Sequence, residues 1–298
     1  MNMKKNSEIG VFSFASAAIA VTLLFCATTA LGQDVPRGNV SITNCASDMP
    51  FMLLQIQADV QGSLNNLDAD VANAAHNLST TGLNGTAARE VLHKLLETNS
   101  NLAEAVTFSK DGKIVVAECK ECKGGEGADI SSQEHIAHVL KARTPAFSKE
   151  FQLVEGYNGT ALAYPVFSSK GEFLGGISTI IEPGKLLNAM VAPQLHFNVS
   201  TRSNITDYSF WMLTLDGIVA YDRDASQIGL DLFKDPLFQP FPSLLDLGKK
   251  IIAERSGHGN YSFQVTQGNK KVVTKDTYWT TTSLHGREWR LVITKIIQ

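Results

Sequence analysis

The sequence predicts an α+β protein: one long N-terminal helix, then two tandem modules, each an antiparallel sheet with flanking helices. Three observations predict it. A single amphipathic period runs through residues 50–78. Short apolar runs joined by tight turns then replace it, and loops so short cannot house crossovers between parallel strands. The order strand, Asp-Gly turn, strand, helix, three-strand meander occurs twice, in units of about 90 to 100 residues.

Composition bounds the rest. At 298 residues, 44% hydrophobic and 18% charged, the chain has apolar material for real cores, and its length suggests two domains. A net charge of −3 gives no case for nucleic acid, which needs a concentrated excess of Lys and Arg. Four cysteines are too few to build a disulfide scaffold.

Residues 1–32 read as a signal peptide. Lys4 and Lys5 give a basic start, Ile9 to Gly32 carries no charge, and Ala30-Leu31-Gly32 supplies a small-residue cleavage site before Gln33. An uncleaved membrane anchor is the other reading, since a span takes about 20 apolar residues. Both place the remainder outside the cytoplasm, secreted or held at the membrane. No later apolar run is long enough to span, so no cytoplasmic output domain is expected. Sequons at Asn39, Asn77, Asn84, Asn158, Asn198, Asn204 and Asn260 fit a glycosylated exported chain. Cys119 and Cys122 form a CxxC running into a Gly-rich stretch. Outside a reducing compartment this is a disulfide candidate, with free thiols or a metal or redox pair as alternatives.

Residues 33–98 hold a helical lead-in and the long helix. Met52, Ile56, Val60, Leu64, Leu67 and Val71 recur at three- and four-residue steps. Gly82 and Gly85 end the period, and Thr86 caps a second helix to about Glu97. The first module, 99–193, opens with strands at Ala103–Phe108 and Lys113–Ala117 around Asp111-Gly112. A helix over Gln133–Lys141 follows, then strands at Phe147–Val154, Thr160–Phe167 and Phe173–Ile181, and a short helix from Pro183. The second module, 200–298, repeats the scheme. Strands at Ser209–Thr214 and Ile218–Tyr221 flank Asp216-Gly217. A helix over Leu244–Glu254 follows, then strands at Gly259–Val265, Lys271–Trp279 and Trp289–Ile297.

Several stretches resemble one family. Ala163-Tyr164-Pro165-Val166-Phe167, the turn to Gly171, and Phe173-Leu174-Gly175-Gly176-Ile177 are similar to the strand, turn and glycine-bearing strand of double Cache (dCache) sensor domains, relatives of the PAS fold. Leu215-Asp216-Gly217-Ile218 and Gln227-Ile228-Gly229-Leu230 resemble that family's Asp-Gly hairpin and the Ile-Gly motif after it. Ser256 to Tyr261 and Leu284 to Trp289 continue the match. The resemblance covers roughly residues 50 to 298. It implies a non-enzymatic extracellular sensor that captures a small molecule, without a cofactor, usually in the first, membrane-distal module. It also implies a separate membrane receptor or sensor kinase as partner, and dimer formation through the long helix. Amino-acid sensors of the family carry Arg-x-Trp-Tyr before the third strand and Asp in the fifth. Lys141 to Phe147 lacks Trp and Tyr, and the Asp position falls near Thr179 or Ile180, so an amino acid is not the expected ligand.

Arg143, Phe147, Phe151, Tyr157 and Tyr164 cluster around the third and fourth strands and are the ligand-binding candidates. Arg143 suits a carboxylate, which a guanidinium meets bidentately. A solvated turn is the other reading of Arg143, and core packing the other reading of the aromatics. In the second module Trp211, Tyr221, Tyr278, Trp279 and Trp289 are read as packing. No His-Glu-x-x-His, Gly-x-Ser-x-Gly or phosphate-loop motif is present, so no catalytic residue is assigned. His135 and His138 on one helix face read as a surface pair, not a metal site. Asp222, Asp224, Asp231 and Asp235 read as a solvated loop. Two functions remain: an exported sensor or binding protein relaying to a membrane partner, or a structural or adhesive surface glycoprotein that kept the fold without a pocket.

Overall fold

The computed structural model describes residues 48–119, 125–153, 158–197, 208–266 and 269–297, all within one unit, Cys45–Gln298. The first 32 residues, Cys122 and Tyr157 lie outside the described residues. Among the described residues no helix is long and apolar enough to cross a membrane.

Helix α1 spans Asp48–Thr81. Its apolar period buries Met52, Ile56, Val60, Leu64, Leu67, Val71 and Leu78 along one stripe, which is what fixes so long a helix in place. Helix α2, Gly85–Thr98, opens after Asn84 and not at Thr86, and Asn84 makes no side-chain capping bond. Its buried Leu92, Leu95 and Leu96 provide the hold instead.

The first sheet is built from β1 (Leu102–Ser109), β2 (Ile114–Cys119), β3 (Ala146–Phe147), β5 (Asn158–Phe167) and β6 (Phe173–Ile181), in the order β2-β1-β6-β5-β3, with β4 (Phe151–Gln152) also paired to β5. The second uses β7 (Tyr208–Thr214), β8 (Val219–Asp222), β9 (Gly257–Thr266), β10 (Asn269–Leu284) and β11 (Arg287–Ile296), in the order β8-β7-β11-β10-β9. Ranked along the chain, with β4 left aside, both read 2-1-5-4-3, and every pairing is antiparallel. The duplication extends to hydrogen bonds. In one module Gly112 N–H donates to Ser109 O and Ser109 N–H to Lys113 O. In the other Gly217 N–H donates to Thr214 O and Thr214 N–H to Ile218 O. Gly112 at φ 74° and Gly217 at φ 90° supply the left-handed residue each turn requires.

The strand expected over Phe147–Val154 is broken. Ala146 pairs with Ala163 and Phe147 with Leu162, whereas Phe151 pairs with Gly159, one residue out of register. The slip falls at Ser148, whose N–H donates to Ala161 O while its hydroxyl oxygen accepts from Ala161 N–H. The helix from Pro183, α4, is longer than expected and reaches Phe197. Strand β10 begins near the expected place but runs on to Leu284. There His285 (φ 44°) and Gly286 (φ 79°) make a two-residue hairpin turn into β11.

Strand alternation divides the core. Phe210, Met212, Leu291 and Ile293 face the large cluster containing α1, while Trp211, Leu213 and Val292 face the opposite side. There helix α5 (Pro242–Ala253) covers the second sheet with Leu244, Leu247 and Ile251. In the first module the corresponding side is covered by α3 (Glu134–Ala142), through Ile136 and Val139 on Phe108, Ala146 and Ala163.

Candidate functional site

An open volume lies in the second module. Between its sheet and the covering segment from Asp224 to Leu244 is a cavity of about 680 Å³. First-module residues line smaller openings, one of about 400 Å³ bounded by Glu134, His135, His138 and Phe147 and one of about 530 Å³ bounded by Glu150, Gln152 and Asn158. Under α3, Phe108 lies so close over Gly176 that a Cβ there would meet its Cζ at 2.3 Å, and Ile136 and Val139 pack with it. The second-module cavity is the most capacious of these three. The sheet of the second carries it because the cover stands on a longer strap, residues 225–241, before α5 begins.

The apolar lining includes Val219, Leu232, Phe238, Leu244 and Phe263, with Phe238 and Phe263 centroids 5.9 Å apart. The polar lining comes from strand positions that alternate with core ones. On β10, Val273, Lys275, Thr277 and Trp279 share the inward face, so Lys275 enters an apolar row and is only 8% exposed. Its ammonium lies 5.4 Å from the Phe263 centroid and 5.9 Å from that of Tyr261. Burial pulls the ammonium below the usual lysine range, against the negative charges of Asp222 and Asp224. Asp222, at the end of β8, accepts from Asp224 N–H at 2.7 Å; burial pushes its carboxyl up to about 7. Burial, then the Asp222 charge, also raises the Tyr261 hydroxyl above the usual phenol range. Arg223 donates to the Tyr208 carbonyl at 3.3 Å. Trp211, 5% exposed, sets its indole N–H beside the Tyr261 hydroxyl without a well-formed hydrogen bond. Such a buried donor costs free energy while unmet.

The residues singled out from the sequence occupy other places. Arg143 ends α3 in a left-handed conformation (φ 60°) and is exposed, its guanidinium carbon 3.3 Å from the Phe173 ring centroid. Phe147 is buried against Trp289, centroids 5.2 Å apart. Phe151 stacks on His135 at 6.0 Å. Tyr164 donates its hydroxyl to Asp68 at 2.6 Å, tying β5 to α1, and Asp68 also bonds His285 at 2.6 Å. None of these four lines the large cavity.

The two helix-α3 histidines do not share a surface. His135 is 2% exposed, and burial holds its imidazole down at about 4; His138 is exposed and bonds Thr144 at 2.9 Å. No group of residues able to hold a metal ion occurs among the described residues. The acidic run is ordered by its own backbone: Asp224 accepts from Ser226 N–H, Asp231 from Phe233 N–H and Asp235 from Leu237 N–H. Cys119 ends β2 and is in a disulfide.

Of the second-module aromatics, Trp279 donates to Glu254 O at 3.0 Å and Tyr221 to Asn188 at 2.8 Å, as packing residues should. Trp211 packs in the same core cluster as Trp279, its indole N–H beside the Tyr261 hydroxyl without a well-formed hydrogen bond. A legible signal was Lys275, a charge at an inward-facing position of an alternating strand.

Residues 62–183 match the model of the HK/GC/chemotaxis protein-like sensor domain. A search of curated proteins gives no match. Among solved structures, the chain is similar to an extracellular ligand binding receptor from Desulfohalobium retbaense, at 27% identity and a TM-score of 0.68, covering 84% of this chain and 41% of that one. The chain thus spans about two fifths of that receptor's length. The periplasmic sensory domain of the Campylobacter jejuni chemoreceptor Tlp1 aligns at 13% identity with a TM-score of 0.57, covering 82% of this chain and 92% of that one. The ligand-binding domain of the Pseudomonas aeruginosa amino-acid chemoreceptor PctB, in complex with L-Arg, aligns at 14% identity with a TM-score of 0.57, over 83% and 93%. With its long helix, its two 2-1-5-4-3 sheets and these matches, the chain carries the double Cache sensor-domain fold.

Proposed function

We propose that this chain is an extracytoplasmic sensing domain that captures a small solute in the second-module cavity and passes the event to a separate membrane partner. The observation that carries the reading is the cavity itself: about 680 Å³, apolar in most of its lining, with a few convergent polar groups. The neighbouring structures include chemoreceptor ligand-binding domains in complex with L-Arg and with L-Gln, which supports a small-molecule ligand in general. In this reading residues 1–32 direct export, residues 99–193 and 200–298 are the two modules, and a Cys119–Cys122 bridge closes the loop after β2. Binding, not catalysis, is the activity. Arg143, Phe147, Phe151, Tyr157 and Tyr164 remain a first-module set whose contribution is separable by mutation.

The test is thermal stabilisation across a library of small metabolites, since a ligand of the folded state raises the melting midpoint by mass action. At least one solute is expected to raise it in the wild type and in Arg143→Ala, and not in Ser209→Trp, where an indole fills the cavity wall. A response abolished by Arg143→Ala and kept by Ser209→Trp would move the site to the first module. No response from any solute would favour the adhesive or structural reading.

A further inference from the structure

The cavity's unmet groups say what it takes. Trp211 offers a buried N–H with no well-formed hydrogen bond, beside the Tyr261 hydroxyl, and Lys275 a buried ammonium among aromatic rings that feels the charges of Asp222 and Asp224 without an ion pair to either. Both are donors. The carboxylates nearby are differently placed: Asp222 accepts from Asp224 N–H, and Asp224 from Ser226 N–H and Oγ. A cationic ligand would look for the faces of Tyr261 and Phe263, but the chain's own Lys275 ammonium already lies against them. An anion meets the charges of Asp222 and Asp224, which line the same cavity, but neither makes an ion pair with Lys275. The remaining wall, Val219, Leu232, Phe238 and Leu244, is apolar.

We propose that the second-module cavity binds a small monocarboxylate with an apolar body, its carboxylate paired to the Lys275 ammonium while the Trp211 indole N–H donates to an acceptor of the same ligand. The assignment rests on solute capture by this cavity and adds the chemical class. Charge-assisted pairing with a buried ammonium is the stronger contact and sets affinity. The neutral Trp211 bond adds less and discriminates against bodies without an acceptor in reach.

The experiment is calorimetric titration of the full chain with straight, branched and aromatic monocarboxylates, phenylacetate and 4-methylpentanoate among them. Each is paired with the amide and the amine of the same body. At least one carboxylate is expected to bind, its amide and amine at least about tenfold more weakly. Lys275→Met, close in shape, also removes the cation facing buried Asp222, so its melting midpoint is measured alongside; it is expected to lose about tenfold or more in carboxylate affinity. Trp211→Phe is expected to lose about three- to tenfold. Amides or amines binding as well as the acids would overturn the assignment, and so would carboxylate binding indifferent to both variants. Silence toward all carboxylates, with a response to some other solute in the metabolite screen, ends this assignment and leaves solute capture standing. Silence in both ends both.

Discussion

His135 shows how much one residue's surroundings can do. Its imidazole is buried against Phe151, and burial outweighs the attraction of Glu134, so the folded state holds the ring neutral down to about pH 4. The unfolded chain takes up the proton near pH 6.5. With the folded value depressed, stability from this site is complete above pH 6.5 and is lost as pH falls toward 4, with a slope of up to about 1.4 kcal/mol per pH unit. Urea unfolding at pH 7 and pH 4.5 checks this. His135→Phe is expected to be the more resistant protein at the lower pH relative to its own value at the higher, and an unchanged difference between variant and wild type would overturn it. At this scale the sequence was least legible. The positions of Phe147, Phe151 and Tyr164 near the third and fourth strands follow from alternation. Whether each faces a hollow depends on Phe108, a residue about forty to sixty positions away in sequence, lying over Gly176.

At the scale of elements the sequence told more, because period and turn chemistry are local. The long helix, both Asp-Gly hairpins and the meanders follow from spacing alone, and the structure moves their ends by a few residues. What it could not tell was the slip at Ser148, which depends on how β3 and β4 each find β5. Nor could it tell the closeness of β1 to β6. Gly175 and Gly176 pair with Ser109 and Phe108, and at Gly176 a methyl group would run into both the Phe108 ring and the Tyr164 carbonyl oxygen, of which only the ring can be trimmed by substitution. Gly176→Ala is therefore expected to cost about 1–3 kcal/mol, as overpacking of a tight core does. The equilibrium denaturation midpoint measures it. A double variant, Phe108→Leu with Gly176→Ala, should recover part of that loss, and failure to recover would place the cost elsewhere.

At the scale of the whole molecule, α1 holds the two sheets together. Gln57 and Gln61 bond the end of β10, at Thr281, Thr282 and Ser283, while Asp68 bonds Tyr164 of the first sheet and His285 of the second. Phe210, Met212, Leu291 and Ile293 on the second sheet belong to the same cluster as the α1 stripe. Residues 208–297 expressed alone should therefore show an apolar face to water, bind a hydrophobic dye and aggregate. A peptide of residues 48–81 added in trans should suppress both. A soluble, dye-silent fragment would mean that the second module needs no roof. The sequence pattern shows two tandem copies of one unit, and packing reveals that one helix serves both.

The roof stands far ahead in sequence of part of what it covers, strands β10 and β11. During synthesis the leading half of α1 must therefore travel uncovered until those strands emerge. Truncation anywhere before Arg287 leaves it without one wall. The wall over that half of α1 is thus complete only once the hairpin at His285-Gly286 has formed.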